Sequence, residues 1–320
     1  MKSQLNILKL VYPPISNQEA EWIKDDPEVQ KLLKESNLYM VAQRQEGKYE
    51  IDEDIICTNF QSKLKAPFTF YAQNVKSIGE IDFNEILKCH GVSIKNTDLE
   101  FEFGEKLIRV WENDTETQER TKVVDWFTTE KFLFDKWRGH PGIKGFDNFR
   151  DLTKYHLHYV GISKKEDSLT RLVIKPHDKR IRILSNEYPK MERSRITDEM
   201  ILFFFKIEQL NISIFDYNDD FNDILAEPAL PKEKIVADAE KAFVNILKSK
   251  YNDVKFSQYP KGKDGLYNSG LTRYAYVIGE DITFTTDSQE IVGSVSLYSK
   301  DSTGQDMILI EGDTVSLVKN

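Results

Sequence analysis

The longest unbroken apolar run of the 320-residue chain is the six residues Met200–Phe205, closed by Lys206. A membrane-spanning helix needs roughly 20 such residues. Extended to Ile214 (MILFFFKIEQLNISI), the segment is rich in β-branched and aromatic residues and predicts one long strand or a hairpin. A chain whose apolar residues come in such short runs must bury them by folding on itself. The composition agrees: 40% hydrophobic and 30% charged residues are too apolar for a disordered chain and too mixed for a collagen or coiled coil. The length leaves room for two or three domains. The opening MKSQLNILKLVYPP has no small-residue cleavage site, so no signal peptide and a cytoplasmic location are expected, with no membrane partner. Cys57 and Cys89 are the only cysteines. Reduced, buried thiols are expected of them rather than a disulfide, and a cysteine-rich zinc module is excluded.

Charge is unevenly spread. The 44 Lys and Arg against 53 Asp and Glu give −9, which argues against a non-specific nucleic-acid coat protein. Yet Lys164–Arg195 holds ten basic and five acidic residues, and Lys241–Lys263 six lysines and one aspartate. Between them, Ile196–Glu240 carries eleven acidic and three basic residues. Two basic stretches flanking an acidic one suit a phosphate-binding face beside a metal-binding one; ordinary solvated faces are the plainer reading.

No repeat is visible. Asn17–Ser36 has helical spacing that Pro27 should kink or split. Pro67–Ala72, Leu99–Phe103 and Lys106–Trp111 read as strands, and Val123–Trp137 as a buried helix or two strands. His156–Ile162 predicts a strand ending near Gly161, Ser168–Val173 the start of a helix, and Arg180–Leu184 helix or strand. Pro231 should open a helix to about Lys250, and the short alternating runs from Arg273 to Val318 a small antiparallel β unit. The expected class is α+β: a small, mostly antiparallel sheet flanked by helices. The expected divisions are an N-terminal α+β region at 1–104, a catalytic module at 105–262 and a β-rich extension at 263–320.

Most chemical motifs fail. Gly262-Lys263-Asp264-Gly265 lacks the spacing of a P-loop, and no GxSxG, HExxH or GxGxxG is present. His156 and His158 would share a strand face but lack a third metal ligand nearby. The loop Asp216–Asp223 lacks the glycine and final glutamate of a calcium loop and reads as solvated.

One ordered set survives. Tyr159-Val160-Gly161 ends a strand, Arg171-Leu172 follows after a short spacer, the helix AEKAFV opens with Glu240, and Tyr251-Asn252 ends it. This set resembles the GIY-YIG nuclease superfamily over Lys154–Tyr259, with Met200–Ile214 where that family's third strand would fall. The family's first tripeptide, Gly-Ile-Tyr, is not evident. Its strand would lie around Lys106–Trp111 or Val123–Phe134, or its tyrosine is replaced. The resemblance implies a divalent-metal-dependent endonuclease acting on nucleic-acid phosphodiesters, DNA more than RNA. Restriction or phage defence would suit such an enzyme.

The residue chemistry fits that implication. On a helical wheel Glu240 borders the apolar face, where a hydrated carboxylate can hold one Mg²⁺ or Mn²⁺. Arg171 would clamp a phosphate oxygen. Tyr159 or His177 would orient or deprotonate the attacking water. Asn252 would tie the Glu240 helix to the sheet. Lys164, Lys165, Lys175, Lys179, Arg180 and Lys255 are the expected nucleic-acid contacts. Two alternatives stay open: a catalytically inactive nucleic-acid-binding module, and an acidic interaction or inhibitor protein. A protein partner or homo-oligomer is compatible with each.

Overall fold

The computed structural model describes residues 2–51, 64–93, 97–164, 166–213, 230–295 and 304–320. Lys165, Cys57 and the loop Asp216–Asp223 lie outside them. The chain is α+β and divides into two compact units. One unit comprises Met1–Gln43, Lys154–Tyr188 and Ile196–Asn320; the other comprises Arg44–Thr153 with Pro189–Arg195.

The chain starts in the first unit with β1 (Lys2–Leu10), β2 (Ile15–Ser16) and β3 (Leu38–Gln43). Seven strands of the second unit follow: β4 (Lys48–Ile51), β5 (Lys65–Ala72), β6 (Val75–Asp82), β7 (Asp98–Phe103), β8 (Leu107–Asn113), β9 (Arg120–Thr128) and β10 (Ile143–Gly145). The first unit resumes with β11 (Lys154–Ile162) and β12 (Met200–Ser213). It ends with β13 (Arg273–Ile278), β14 (Thr283–Thr285), β15 (Glu290–Val292), β16 (Met307–Glu311) and β17 (Thr314–Val318).

In the first unit, ten strands form one sheet in the order β15-β14-β11-β3-β12-β1-β13-β16-β17, with β2 on β12. The expected small sheet is thus a large one. The apolar run explains its centre: Met200–Phe205 pairs with β3 along its whole length and is buried throughout, and strands covered on both faces read as continuous rather than alternating apolar runs. The segment expected to form a separate C-terminal unit instead completes both sides of this sheet. β13 pairs parallel to β1, and β14 pairs parallel to β11. The divisions 1–104, 105–262 and 263–320 therefore do not match the compact units. Composition changes along the chain, but strand pairing joins residues hundreds apart, such as Lys2 with Ser213 and Ser3 with Arg273.

The helical stretch near the N-terminus is two helices, Asn17–Ile23 and Pro27–Leu33. A Ser16–Glu19 capping box opens the first, and Asp26 caps the second with Pro27 at its start. The helix Lys232–Leu247 buries Ile235, Ala239, Phe243 and Leu247 and packs on β11.

The second unit holds a four-stranded antiparallel sheet, β10-β6-β5-β4, and a three-stranded one, β7-β8-β9. Phe68, Phe70, Phe83, Phe127, Phe132 and Phe146 fill its interior. Val123–Trp137 divides between strand and helix: β9 runs to Thr128, which caps the helix Thr129–Trp137. Buried Arg44 pairs with Glu130 and donates to the Leu152 carbonyl at 2.7 Å, joining the first and last turns of the inserted segment. Cys89 is exposed, not buried, because it ends the helix Phe83–Cys89 on its solvent side.

Candidate active site

The strand that pairs with Tyr159-Val160-Gly161 is β3. Gly161 lies opposite Tyr39 and Tyr159 opposite Val41, antiparallel, after a bulge at Leu157/Tyr159. Neither region expected to supply the first strand does so. Lys106–Trp111 lies in β8 and Val123–Phe134 in β9 and its following helix, where they pair within the second unit.

Residues opposite one another on a sheet share a face, so Tyr39 and Tyr159 stand together, with ring centroids 6.2 Å apart. Gly161 makes room for both rings. A Cβ there would lie 2.7 Å from Tyr39 Cζ and 2.6 Å from Tyr159 Cε1.

The segment after β11 is fastened to the residues before β3. The Ser163 and Ser168 amides donate to the Asn37 and Ser36 carbonyls at 2.9 and 3.1 Å. Asp167 then receives the Thr170 amide at 2.8 Å and the Thr170 hydroxyl at 2.9 Å. The expected helix start becomes, at Thr170–Ile174, a single π-helical turn, a form that recurs at functional sites. It carries Arg171, whose Nε donates to the Tyr39 hydroxyl oxygen at 3.1 Å. The terminal guanidinium nitrogens make no hydrogen bond among the described residues.

His177 begins the helix Asp178–Asn186. Its Nδ1 accepts the Arg180 amide at 3.1 Å, which leaves the proton of the neutral ring on Nε2. That nitrogen lies 2.9 Å from the Tyr39 hydroxyl. Burial, followed by the charges of Arg171 and Arg180, pushes His177 down to about 4, so the ring is neutral near pH 7. The Tyr39 oxygen thus receives two nitrogen donors. Burial holds its pKa above the usual tyrosine value, and Arg171 opposes that rise. Burial likewise raises Tyr159.

Glu240 is half-buried on the helix Lys232–Leu247 and has no hydrogen bond or ion pair among the described residues. Burial pushes its carboxyl up to about 7 against the pull of Lys164, Arg171 and Lys241. Its charge in turn raises both Tyr39 and Tyr159. Two tyrosines, one arginine, one neutral histidine and one partnerless carboxylate thus share a single electrostatic neighbourhood. Asn252 braces it from behind. Its Nδ2 donates to the Val160 carbonyl at 2.8 Å, and its Oδ1 accepts the Val160 amide at 3.0 Å. The end of the Glu240 helix is thereby fixed to the Tyr159 strand.

The expected nucleic-acid contacts divide. Lys164, Lys175 and Lys179 are surface cations paired with Asp264, Glu166 and Asp253. Arg180 and Lys255 are hydrogen-bonded to protein oxygens. Arg180 donates to Asn17 Oδ1 at 2.6 Å and to the Leu172 carbonyl at 3.0 Å. Lys255 donates to the Ser249 carbonyl. Burial lowers the pKa of both, because it takes the charged head out of water. His158 is buried with Nε2 3.2 Å from Gln43 Oε1, and among the described residues no cluster of three His, Cys, Asp or Glu side chains is arranged around a metal.

Sequence reasoning missed Tyr39, Lys241 and Asp264. The run Leu38-Tyr39-Met40-Val41 carried a strand signal, but the inserted unit separates it from its partner strand. Among the described residues no helix is long and apolar enough to cross a membrane. Comparison with protein-family models, with curated proteins and with solved structures gives no match to this chain.

Proposed function

We propose that this chain is a divalent-metal-dependent nuclease of GIY-YIG type whose catalytic strands, β3 and β11, are separated in sequence by an inserted unit. The observation that carries the reading is the partnerless, half-buried Glu240 beside an arginine whose Nε is already fixed on Tyr39. A carboxylate kept from water without a donor is costly unless a cation completes it. Tyr39, which lies opposite Gly161 of Tyr159-Val160-Gly161, would be the tyrosine that the family's Gly-Ile-Tyr strand calls for.

Mg²⁺ or Mn²⁺ fits Glu240, since such ions take oxygen ligands and keep several waters, so one carboxylate suffices. When bound, the ion would neutralise charge developing on the phosphoryl and leaving oxygens. Arg171 presents two unengaged nitrogens to a phosphate, a geometry suited to bidentate contact. Tyr39 Oη is placed to orient the attacking water, and only its phenolate form, reached after the hydroxyl proton has left to solvent, would take that water's proton. Donors from Arg171 Nε and His177 Nε2 stabilise the oxygen while it carries negative charge. Tyr159 and Gly161 set the position of the Tyr39 ring, and Asn252 the distance from sheet to Glu240.

Incubating supercoiled plasmid with Mg²⁺ tests this. The wild type should nick or linearise it, chelation should stop the reaction, and Glu240→Gln should lower the rate by at least about 10³-fold, as loss of a principal charge-stabilising group does. Equal activity in the two proteins, or none in either, would refute the assignment.

A further inference from the structure

Four cations of the first unit are paired two to a carboxylate. Lys241, next to Glu240 on its helix, and Lys164, just past β11, both bind the single carboxylate of Asp264, Lys164 at 3.5 Å to Oδ2 and Lys241 at Oδ1. Lys179 and Arg182, on the helix that His177 begins, both bind the carboxylate of Asp253, Arg182 at 3.5 Å to Oδ1 and Lys179 at Oδ2. Each arrangement is one negative charge with two oxygens, each oxygen facing its own cation. A phosphodiester group presents the same charge and the same two non-bridging oxygens.

The surroundings favour exchange over permanence. Asp264 and Asp253 have side chains 56% and 64% exposed, and exposed ion pairs of this kind contribute little to stability. The Asp264 loop is nonetheless held in place from below. Buried Asp238 accepts the Tyr259 hydroxyl at 2.5 Å and the Leu266 amide at 2.7 Å. Gly265 approaches the Asp238 carboxylate too closely for any side chain.

Resting on the nuclease reading above, we infer that Asp264 and Asp253 are internal stand-ins for two backbone phosphates. A polynucleotide strand displaces them and takes over the Lys164–Lys241 and Lys179–Arg182 pairs. Two such positions take more than one phosphate, which a polynucleotide strand presents and a mononucleotide does not. The internal carboxylates lower the affinity for single phosphates and short anions.

Fluorescence anisotropy with labelled single- and double-stranded oligonucleotides, in chelator so that no cleavage occurs, tests the inference. Asp264→Asn and Asp253→Asn should each tighten binding about two- to fivefold, the worth of one exposed pair. Asp287→Asn, removing an equally negative exposed charge that pairs with none of the four cations, should leave binding unchanged. In a Lys164→Gln/Lys241→Gln background, Asp264→Asn should give no gain, and the slope of log K against log salt should fall by about one, since the two lysines share one phosphate. Weaker or unchanged binding by Asp264→Asn, or a gain that persists without the two lysines, overturns the stand-in assignment. A wild type that binds no oligonucleotide at any salt concentration overturns the nuclease reading as well. Binding and Mg²⁺-dependent cleavage without a gain from Asp264→Asn would overturn the stand-in assignment alone.

Discussion

On the helix Lys232–Leu247, Asp238 and Glu240 are two residues apart and so point to nearly opposite sides. Asp238 is fully buried and receives the Tyr259 hydroxyl at 2.5 Å, the Tyr276 hydroxyl at 2.9 Å, the Tyr274 hydroxyl at 3.4 Å and the Leu266 amide at 2.7 Å. Glu240 is less buried and has no such partner among the described residues. Both carboxyls have raised pKa values with burial as the leading cause, but only Asp238 has that burial countered by a set of donors. Burial alone therefore does not mark a functional carboxylate. Asp238 orders the loop that presents Asp264, whereas Glu240 has no donor among the described residues and lies within the electrostatic reach of Arg171 and Tyr39.

The contrast predicts opposite consequences for removing each group. Asp238→Ala leaves the three tyrosine hydroxyls and the Leu266 amide without their acceptor and opens a cavity. It should cost about 3 kcal/mol or more in denaturant unfolding. A loss below about 1 kcal/mol would mean that the tyrosines find water or other acceptors, and the structural role assigned to Asp238 would fall.

Glu240→Gln should act in the other direction, and more weakly. The native carboxyl, near 7, keeps a proton that the unfolded chain, near 4.5, releases. Wild-type stability therefore declines as pH rises from about 4.5 to 7 and then levels off. Glutamine lacks this titration. The variant should match the wild type near pH 4 and exceed it by about 1–3 kcal/mol at pH 8 in chelator. A gap that does not change with pH, or one of reversed sign, would show that Glu240 is satisfied in the folded chain.

The same distinction explains what the sequence could and could not disclose. Glu240, at the edge of an apolar helical stripe, was legible from periodicity, and Tyr159, Arg171 and Asn252 from their order. Val244 falls outside that stripe on a helical wheel of the sequence and is nonetheless fully buried, because this helix is covered nearly all round. Arg180 and Lys255 show why a basic residue type does not establish a phosphate contact: both heads turn inward to protein oxygens. Tyr39 was hidden for a topological reason. Local pattern predicts a strand but not its partner, and residues 44–153 intervene between Tyr39 and Tyr159. The ten-stranded sheet was hidden likewise, since its order interleaves the start, middle and end of the chain.

The most direct test of the central claim, that Glu240 and Arg171 act together on one phosphate, is single-turnover cleavage of an oligonucleotide in Mg²⁺. It compares the wild type, Glu240→Gln, Arg171→Ala and the double variant. Groups that work as a unit give losses that do not add. The double variant should be no more than a few-fold slower than the worse single one, each single loss being on the order of 10²–10⁴-fold. Losses that multiply in full, or a Glu240→Gln protein that cleaves like the wild type, would contradict it.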